Sequence, residues 1–132
     1  MKVRSRKNKG VRLQNYVVER LREVFGFDEL DIKPAVMGEQ GVDIHLSKQA
    51  LQVFPFSIEC KNQEKWNILQ FFRQAIVNTV PGTYPLLVVK KNRVEPLAVL
   101  RFEDFLKIVR GNQNGVRRNN RKRGAGSEKE KC

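Results

Sequence analysis

Two carboxylates and a lysine in this chain have the types and spacing to share one divalent cation. Asp43 lies in Gly41-Val42-Asp43-Ile44-His45; Glu59 and Lys61 lie in Phe56-Ser57-Ile58-Glu59-Cys60-Lys61. Both stretches read as strands, whose side chains alternate between faces. Val42, Ile44 and Leu46 then face a core while Asp43 and His45 face away. In the second strand Phe56, Ile58 and Cys60 take one face, and Ser57, Glu59 and Lys61 the other. Pairing the strands brings Asp43, Glu59 and Lys61 onto one polar patch. Carboxylate oxygens suit a hard cation such as Mg²⁺, and a lysine beside it can hold or help deprotonate a water. This is the equipment for metal-assisted hydrolysis of a phosphodiester. The competing reading is a structural ion pair between Glu59 and Lys61. A nearby aspartate, a polar helix stripe and basic flanks weigh against it. Glu39, in the loop before Asp43, is a candidate to add or orient a ligand, or is merely solvated. His45 is assigned a hydrogen-bonding role or none, since Lys61 already fills the place of a base.

The elements that must position these groups follow from periodicity. Leu13, Val17, Val18, Leu21, Val24 and Phe25 recur at helical spacing, which predicts a helix over 11–25 stopped by Gly26. Strands are expected over 31–36, 42–46 and 54–61, with Gly38 and Gly41 permitting a tight turn and residues 47–52 forming a loop. A helix over 63–80 carries an apolar set that includes Trp66, Phe72 and Ala75. Opposite runs a stripe of neutral amides: Gln63, Asn67, Gln70, Gln74 and Asn78. Leu86 to Val89 reads as a strand buried on both faces. An edge strand over 94–100 contains Pro96, and a short helix follows with Phe102, Phe105, Leu106 and Val109 inward. The fold class is α/β: a central mixed sheet of about five strands flanked by helices, in the order αβββαβ.

The chain has 132 residues, enough for one compact domain. Its 26 Lys and Arg against 14 Asp and Glu give a net charge of +12 at pH 7. The charge clusters at the two ends and points to a polyanion partner. The reading divides the chain into a basic arm over 1–10 that orders on a partner, a folded domain over 11–111, and a basic, disordered tail over 112–132. Candidate DNA contacts are Arg4, Arg6, Lys7, Lys9 and Arg12 in front, and Arg117, Arg118, Arg121, Lys122 and Arg123 behind. No apolar run approaches the roughly 20 residues that span a bilayer, and no signal peptide is expected. Cys60, in a strand, and Cys132, at the last position, are not expected to pair, which fits a reducing cytoplasm. Cys and His are too few for a zinc site.

Asp43, followed after fifteen residues by Glu59-Cys60-Lys61, resembles the PD-(D/E)XK nuclease signature. The wider stretches Met37-Gly38-Glu39-Gln40-Gly41-Val42-Asp43-Ile44 and Phe54 to Asn62 are similar to small phage nucleases of the Holliday junction resolvase type. The resemblance runs from about Lys9 to Val80. Val42 stands where the signature has a proline, which carries no catalytic group. The resemblance implies a restriction-endonuclease-like core. It also implies a site in which Asp43, Glu59 and the Cys60 main-chain carbonyl hold Mg²⁺, or Mn²⁺ in its place, beside a catalytic Lys61. Related resolvases place a glutamate from the first helix at the metal. The matching position here is Gln14, with Glu19 one turn further on. Gln74 stands where many such nucleases carry a helical glutamine.

The expected function is therefore a metal-dependent, structure-selective DNA endonuclease. A Holliday junction resolvase would make paired symmetric nicks in four-way junctions and leave 5′-phosphates. Two symmetric cuts call for a C₂ homodimer, and a chain this short must select DNA by shape and backbone charge. Apolar residues on the last strand or terminal helix are the candidates for its interface. The expected location is the cytoplasm, that of the host cell if the protein is phage-encoded. The alternatives are another PD-(D/E)XK endonuclease (nicking, repair or restriction-like) or a non-catalytic nucleic-acid-binding protein.

Overall fold

A computed structural model describes the backbone of residues 3–111 and the side chains of residues 7–111. The first helix, α1, spans Val3–Phe25. It starts eight residues before the expected boundary at Val11, so residues 3–10 of the expected N-terminal arm are helical. The reason is local and tertiary at once. Lys and Arg are good helix formers. Lys9 is buried, bonded through its ammonium to Glu64 at 3.1 Å, and its carbonyl accepts the Asn62 side-chain amide at 3.0 Å. At the other end Gly26 takes φ +71° and closes the helix on the Arg22 carbonyl at 2.8 Å.

Two short strands follow, β1 (Ile32–Pro34) and β2 (Ile44–Leu46), paired antiparallel with Ile32 opposite Leu46. The segment expected as a loop over 47–52 is instead a helix, α2 (Lys48–Val53). Its sequence signal was Ser47, an N-cap whose hydroxyl accepts the Ala50 N–H at 3.0 Å while Ala50 itself is buried. Then come β3 (Phe56–Asn62), α3 (Ile68–Val77), β4 (Tyr84–Lys90) and β5 (Leu97–Val99). The helix α3 is shorter than the expected 63–80. Asn67 caps its start through the Gln70 N–H at 3.2 Å, and the residues before the cap still belong to the strand side, with the Gln63 N–H on the Lys90 carbonyl at 3.0 Å.

The α/β class and the five strands stand, but they form two sheets: β1–β2, and β3–β4–β5 with a parallel β3–β4 pair. The expected single central sheet breaks at a definable point. The Asp43 N–H bonds to the Ile58 carbonyl at 3.1 Å, one rung of a ladder. The next donor, the Cys60 N–H, is taken by the Asp43 carboxylate at 2.7 Å rather than by another strand's backbone. The Asp43 side chain occupies the place of the ladder.

Period two decides the two faces of β3–β4. Ile58, Cys60, Leu86 and Val88 pack with Leu13, Val17, Val18 and Leu21 of α1. On the opposite face Leu87 and Val89 pack with Phe71 of α3, and Trp66 and Phe72 lie against them as core residues. The chain divides into two compact units at Leu100 and Arg101. The second unit's helix covers residues 102–111. Its Phe102, Phe105, Leu106 and Val109, expected inward, are all exposed. No helix among the described residues is long and apolar enough to cross a membrane. The expectation of a disordered tail over 112–132 lies outside the described residues.

Candidate active site

Strand β3 carries the site because its alternation sends Glu59 and Lys61 to the α3 side, opposite Ile58 and Cys60. Glu59 is only 3% exposed. Its Oε1 accepts a hydrogen bond from Asn78 Nδ2 at 3.3 Å, and its Oε2 lies 3.8 Å from Lys61 Nζ. That last distance is too long for a hydrogen bond. The ammonium attracts the carboxylate but is not bonded to it, and it also sits 5.6 Å from the centre of the Phe71 ring. Lys61 makes this ion pair without a hydrogen bond to Glu59.

Asn78 is held over Glu59 by the end of α3. The Val80 N–H donates to Ser57 Oγ at 2.9 Å, and Ser57 Oγ is 2.6 Å from Thr83 Oγ1. Ser57 shares the face of Glu59, so this clasp fixes the helix terminus two residues upstream of the carboxylate.

Asp43 reaches β3 from its edge. Its Oδ2 accepts the Cys60 N–H at 2.7 Å, a short, charge-assisted bond. A residue's N–H and C=O leave a strand on the same side, so the Cys60 carbonyl also leaves β3 on the Asp43 edge. The loop that delivers Asp43 turns at Gly38 (φ +86°) and Gly41 (φ +100°), conformations that favour glycine. Glu39 ties this loop shut. Its Oε1 accepts the Val36 N–H at 2.8 Å, and its Oε2 is 2.7 Å from His45 Nε2. The Val36 N–H, then His45, hold the Glu39 carboxyl below its ordinary range.

Glu39, Gln14 and Lys7 line one cavity of about 420 Å³ with Asp43. Two of the three expected auxiliary residues therefore share a cavity with the aspartate. Both oxygens of Glu39 are already bonded, which makes it a loop clasp; Gln14 carries no such engagement among the described residues. Gln74 is solvent-exposed, and the α3 side chain that bonds to the site is Asn78, one turn further on. Asn78 was visible as the last member of the amide stripe, but nothing in the pattern singled it out. Lys9 is not a free DNA-contacting cation, since it is buried against Glu64. Arg12 is exposed, as is Lys7. The side chains of Arg4, Arg6, Arg117, Arg118, Arg121, Lys122 and Arg123 lie outside the described residues.

Electrostatics binds the three central groups together. Burial, and then the charge of Asp43, push Glu59 up to about 7, while the Asn78 bond and Lys61 pull it back. Burial also raises Asp43, against the Cys60 N–H and Lys61. A buried and a partly buried carboxylate that resist carrying two negative charges fit a divalent cation, which would relieve their repulsion. Among the described residues no cluster of three or more Asp, Glu, His or Cys side chains forms. The groups that a cation would meet there are two carboxylates and the Cys60 carbonyl on the same edge.

A family model described as "Phage putative PDDEXK endonuclease" matches residues 5–130. The chain belongs to the phage PDDEXK endonuclease family. No curated protein and no solved structure matches the chain. Asp43, Glu59 and Lys61 are the residues of this family member whose pattern resembles the signature from which the family takes its name.

Asn78 gives a direct test. Asn78→Ala leaves one oxygen of a buried carboxylate without its donor. Outer partners of metal ligands are worth about 10–100-fold in affinity or activity. We expect a cleavage rate lower by that factor and a pH–rate midpoint moved upward, because Glu59 loses the bond that favours its ionised form. An unmoved midpoint would show that Asn78 does not act through Glu59.

Proposed function

We propose that the protein is a Mg²⁺-dependent DNA endonuclease that nicks four-way junctions in symmetric pairs, leaving 5′-phosphates, and that it works as a homodimer. The observation that carries the catalytic part is the convergence on the β3 edge of Asp43, Glu59 and Lys61, with Asp43 bonded to the strand backbone between the other two. Asp43, Glu59 and the Cys60 carbonyl would hold the cation. The chemistry that Mg²⁺, or Mn²⁺ in its place, would supply there is polarisation of the scissile phosphate and acidification of a water. Lys61 orients that water with its uncommitted donors and offsets negative charge developing on the phosphate. Gln14, neutral, can hold a phosphate oxygen or water in the Asp43 cavity without repelling DNA. Lys7 adds positive charge to the cavity's rim.

The charge of +12 supports a nucleic-acid substrate. Junction selectivity is supported by the resemblance of residues 37–44 and 54–62 to small phage junction resolvases. Phe102, Phe105, Leu106 and Val109 form an exposed i, i+3, i+4, i+7 stripe on one helix. In an antiparallel pairing of that helix with its copy, Phe102 meets Val109 and Phe105 meets Leu106. Such a C₂ contact would supply the second cutting site. The buried, free thiol of Cys60 is consistent with work in a reducing host-cell cytoplasm.

The test is a four-way junction labelled in turn on each strand and incubated with Mg²⁺ or with EDTA. We expect cuts on two opposed strands, at symmetric positions and with ligatable 5′-phosphate ends, only when Mg²⁺ is present. Equal cutting of plain duplex would remove the junction assignment. A junction left intact under all divalent cations would remove the nuclease.

A further inference from the structure

A second cavity, of about 340 Å³, opens on the other flank of α1. At 3.6 residues per turn its α1 residues, Lys9, Arg12 and Tyr16, lie on the stripe opposite Lys7, Val11 and Gln14 of the Asp43 cavity. Asn62 ends β3 and Lys90 ends β4, and both line it. The cavity therefore sits at the carboxyl ends of the parallel pair, where α/β folds commonly bind ligands.

Three cationic side chains line this cavity: Lys9, Arg12 and Lys90. Lys9 is only 6% exposed, an uncommon depth for an ammonium. Glu64 answers it at 3.1 Å and is kept ionised, its pKa lowered by the Asn92 N–H and by Lys9. Lys90 Nζ donates to the carbonyls of Lys91 and Val94, each at 3.1 Å. Those carbonyl acceptors are neutral and leave its charge uncancelled. Arg12 has no carboxylate partner among the described residues. One carboxylate against three cations leaves an excess of two positive charges. No aspartate or glutamate lines the space, so it is built for an anion and lacks the means to hold a hydrolytic cation. Leu13, Pro96 and the half-exposed ring of Tyr16 supply an apolar wall beside that charge. Charge beside a flat ring suits a phosphate with its nucleoside, and the volume falls in the range of about 300–1,000 Å³ usual for ligand sites.

We infer that this cavity seats one nucleotide unit of the strand that the enzyme cuts, at a distance from the cut itself. Arg12 and Lys90 grip its phosphate, with buried Lys9 adding to the field. Tyr16 receives its sugar or base. The bound strand then crosses α1, cut on one flank and held uncut on the other. This assignment rests on the endonuclease reading.

The test uses the full chain in EDTA, so that binding is read without cleavage. A fluorescein-labelled four-way junction is titrated by anisotropy across a salt series with wild type, Arg12→Gln, Tyr16→Ser and Arg20→Gln. The last removes the same charge from an exposed α1 position paired with Glu23. Arg12→Gln should weaken binding roughly three- to tenfold and lower the log–log salt slope by about one unit. Arg20→Gln should change neither. Tyr16→Ser should weaken binding with the slope unchanged. A strand bearing 5-iododeoxyuridine, irradiated on wild type, should cross-link to the tryptic peptide 13–20, which contains Tyr16.

Slopes that are equal for Arg12→Gln and Arg20→Gln, or cross-links confined to other peptides, overturn the seat. Cleavage of the same junction by wild type in Mg²⁺ would then leave the endonuclease reading in place. A wild type that neither binds nor cuts overturns both. Free thymidine monophosphate competing as well as the strand would assign the cavity to a free nucleotide, and the strand assignment would fall.

Discussion

Asp43→Asn and Lys61→Ala each reduce junction cleavage by about a hundred- to a thousandfold, with junction binding in EDTA within a few-fold of wild type. The size follows from what each group does for charge that develops only in the transition state; single donors in such roles are worth roughly 10²–10³ in rate. The selectivity of the loss follows from the geometry. An amide at position 43 still offers an oxygen to the Cys60 N–H, so the 2.7 Å bond that docks the loop on β3 has a substitute. What it cannot offer is the negative charge that a cation needs. Lys61 is 3.8 Å from Glu59, so its removal breaks no hydrogen bond with that carboxylate. It leaves Glu59 and Asp43 without the cation that lowers both their pKa values. Fold should survive in both variants, and circular dichroism with thermal melting checks it. Single-turnover cleavage, with protein in excess over labelled junction, reads the chemical step apart from product release. Lys61→Ala cutting at the wild-type rate would return Lys61 to a structural role. Asp43→Asn cutting at that rate would end the two-carboxylate account altogether.

The parts of the site that alternation controls were legible in the sequence. Glu59 and Lys61 had to share a face of β3, because Ile58 and Cys60 could only be core. The buried β4 followed from Leu86 to Val89, an apolar run with no polar interruption. What pattern could not show was contact between side chain and backbone. The Asp43–Cys60 bond replaces a ladder rung, so the sheet divides at the residue that the pattern had placed inside it. Ser47 carried a cap signal for α2, but six residues with one buried alanine make too weak a period to separate from a loop. Lys9 looked like part of a free basic arm because sequence cannot see Glu64, fifty-five residues away, which lets it be buried. In the amide stripe, Gln74 and Asn78 are equivalent on a helical wheel. Only the clasp of Val80 on Ser57 decides which of them reaches Glu59.

The same clasped carboxylate sets the pH behaviour, in opposite directions with and without metal. Without divalent cations the protein should lose stability as pH rises toward neutrality, and Glu59→Gln should remove that loss. Burial raises Glu59 from its ordinary 4.5 to about 7, with the Asp43 charge adding to it. A carboxyl whose folded pKa exceeds its unfolded one stabilises the fold when protonated. Its contribution is complete below about 4.5 and drains away as pH climbs to about 7, after which nothing further is lost. The whole shift would amount to roughly 3 kcal/mol, and screening by Lys61 and water brings the expectation to about 2 kcal/mol. Asp31 and Glu39, held low by hydrogen bonds, act in the opposite sense only at acid pH. Urea unfolding in EDTA at about pH 5.5 and about pH 8 therefore isolates the effect of the buried pair. Mg²⁺ reverses the demand, since holding it requires both carboxylates ionised. Binding should release a proton, and apparent affinity should fall about tenfold per pH unit below about 7. Titration calorimetry in two buffers of different ionisation enthalpy counts that proton. If Mg²⁺ bound with the same affinity at about pH 6 and about pH 8, Glu59 would already be ionised in the metal-free fold. The raised Glu59 would then not govern how tightly the cation binds.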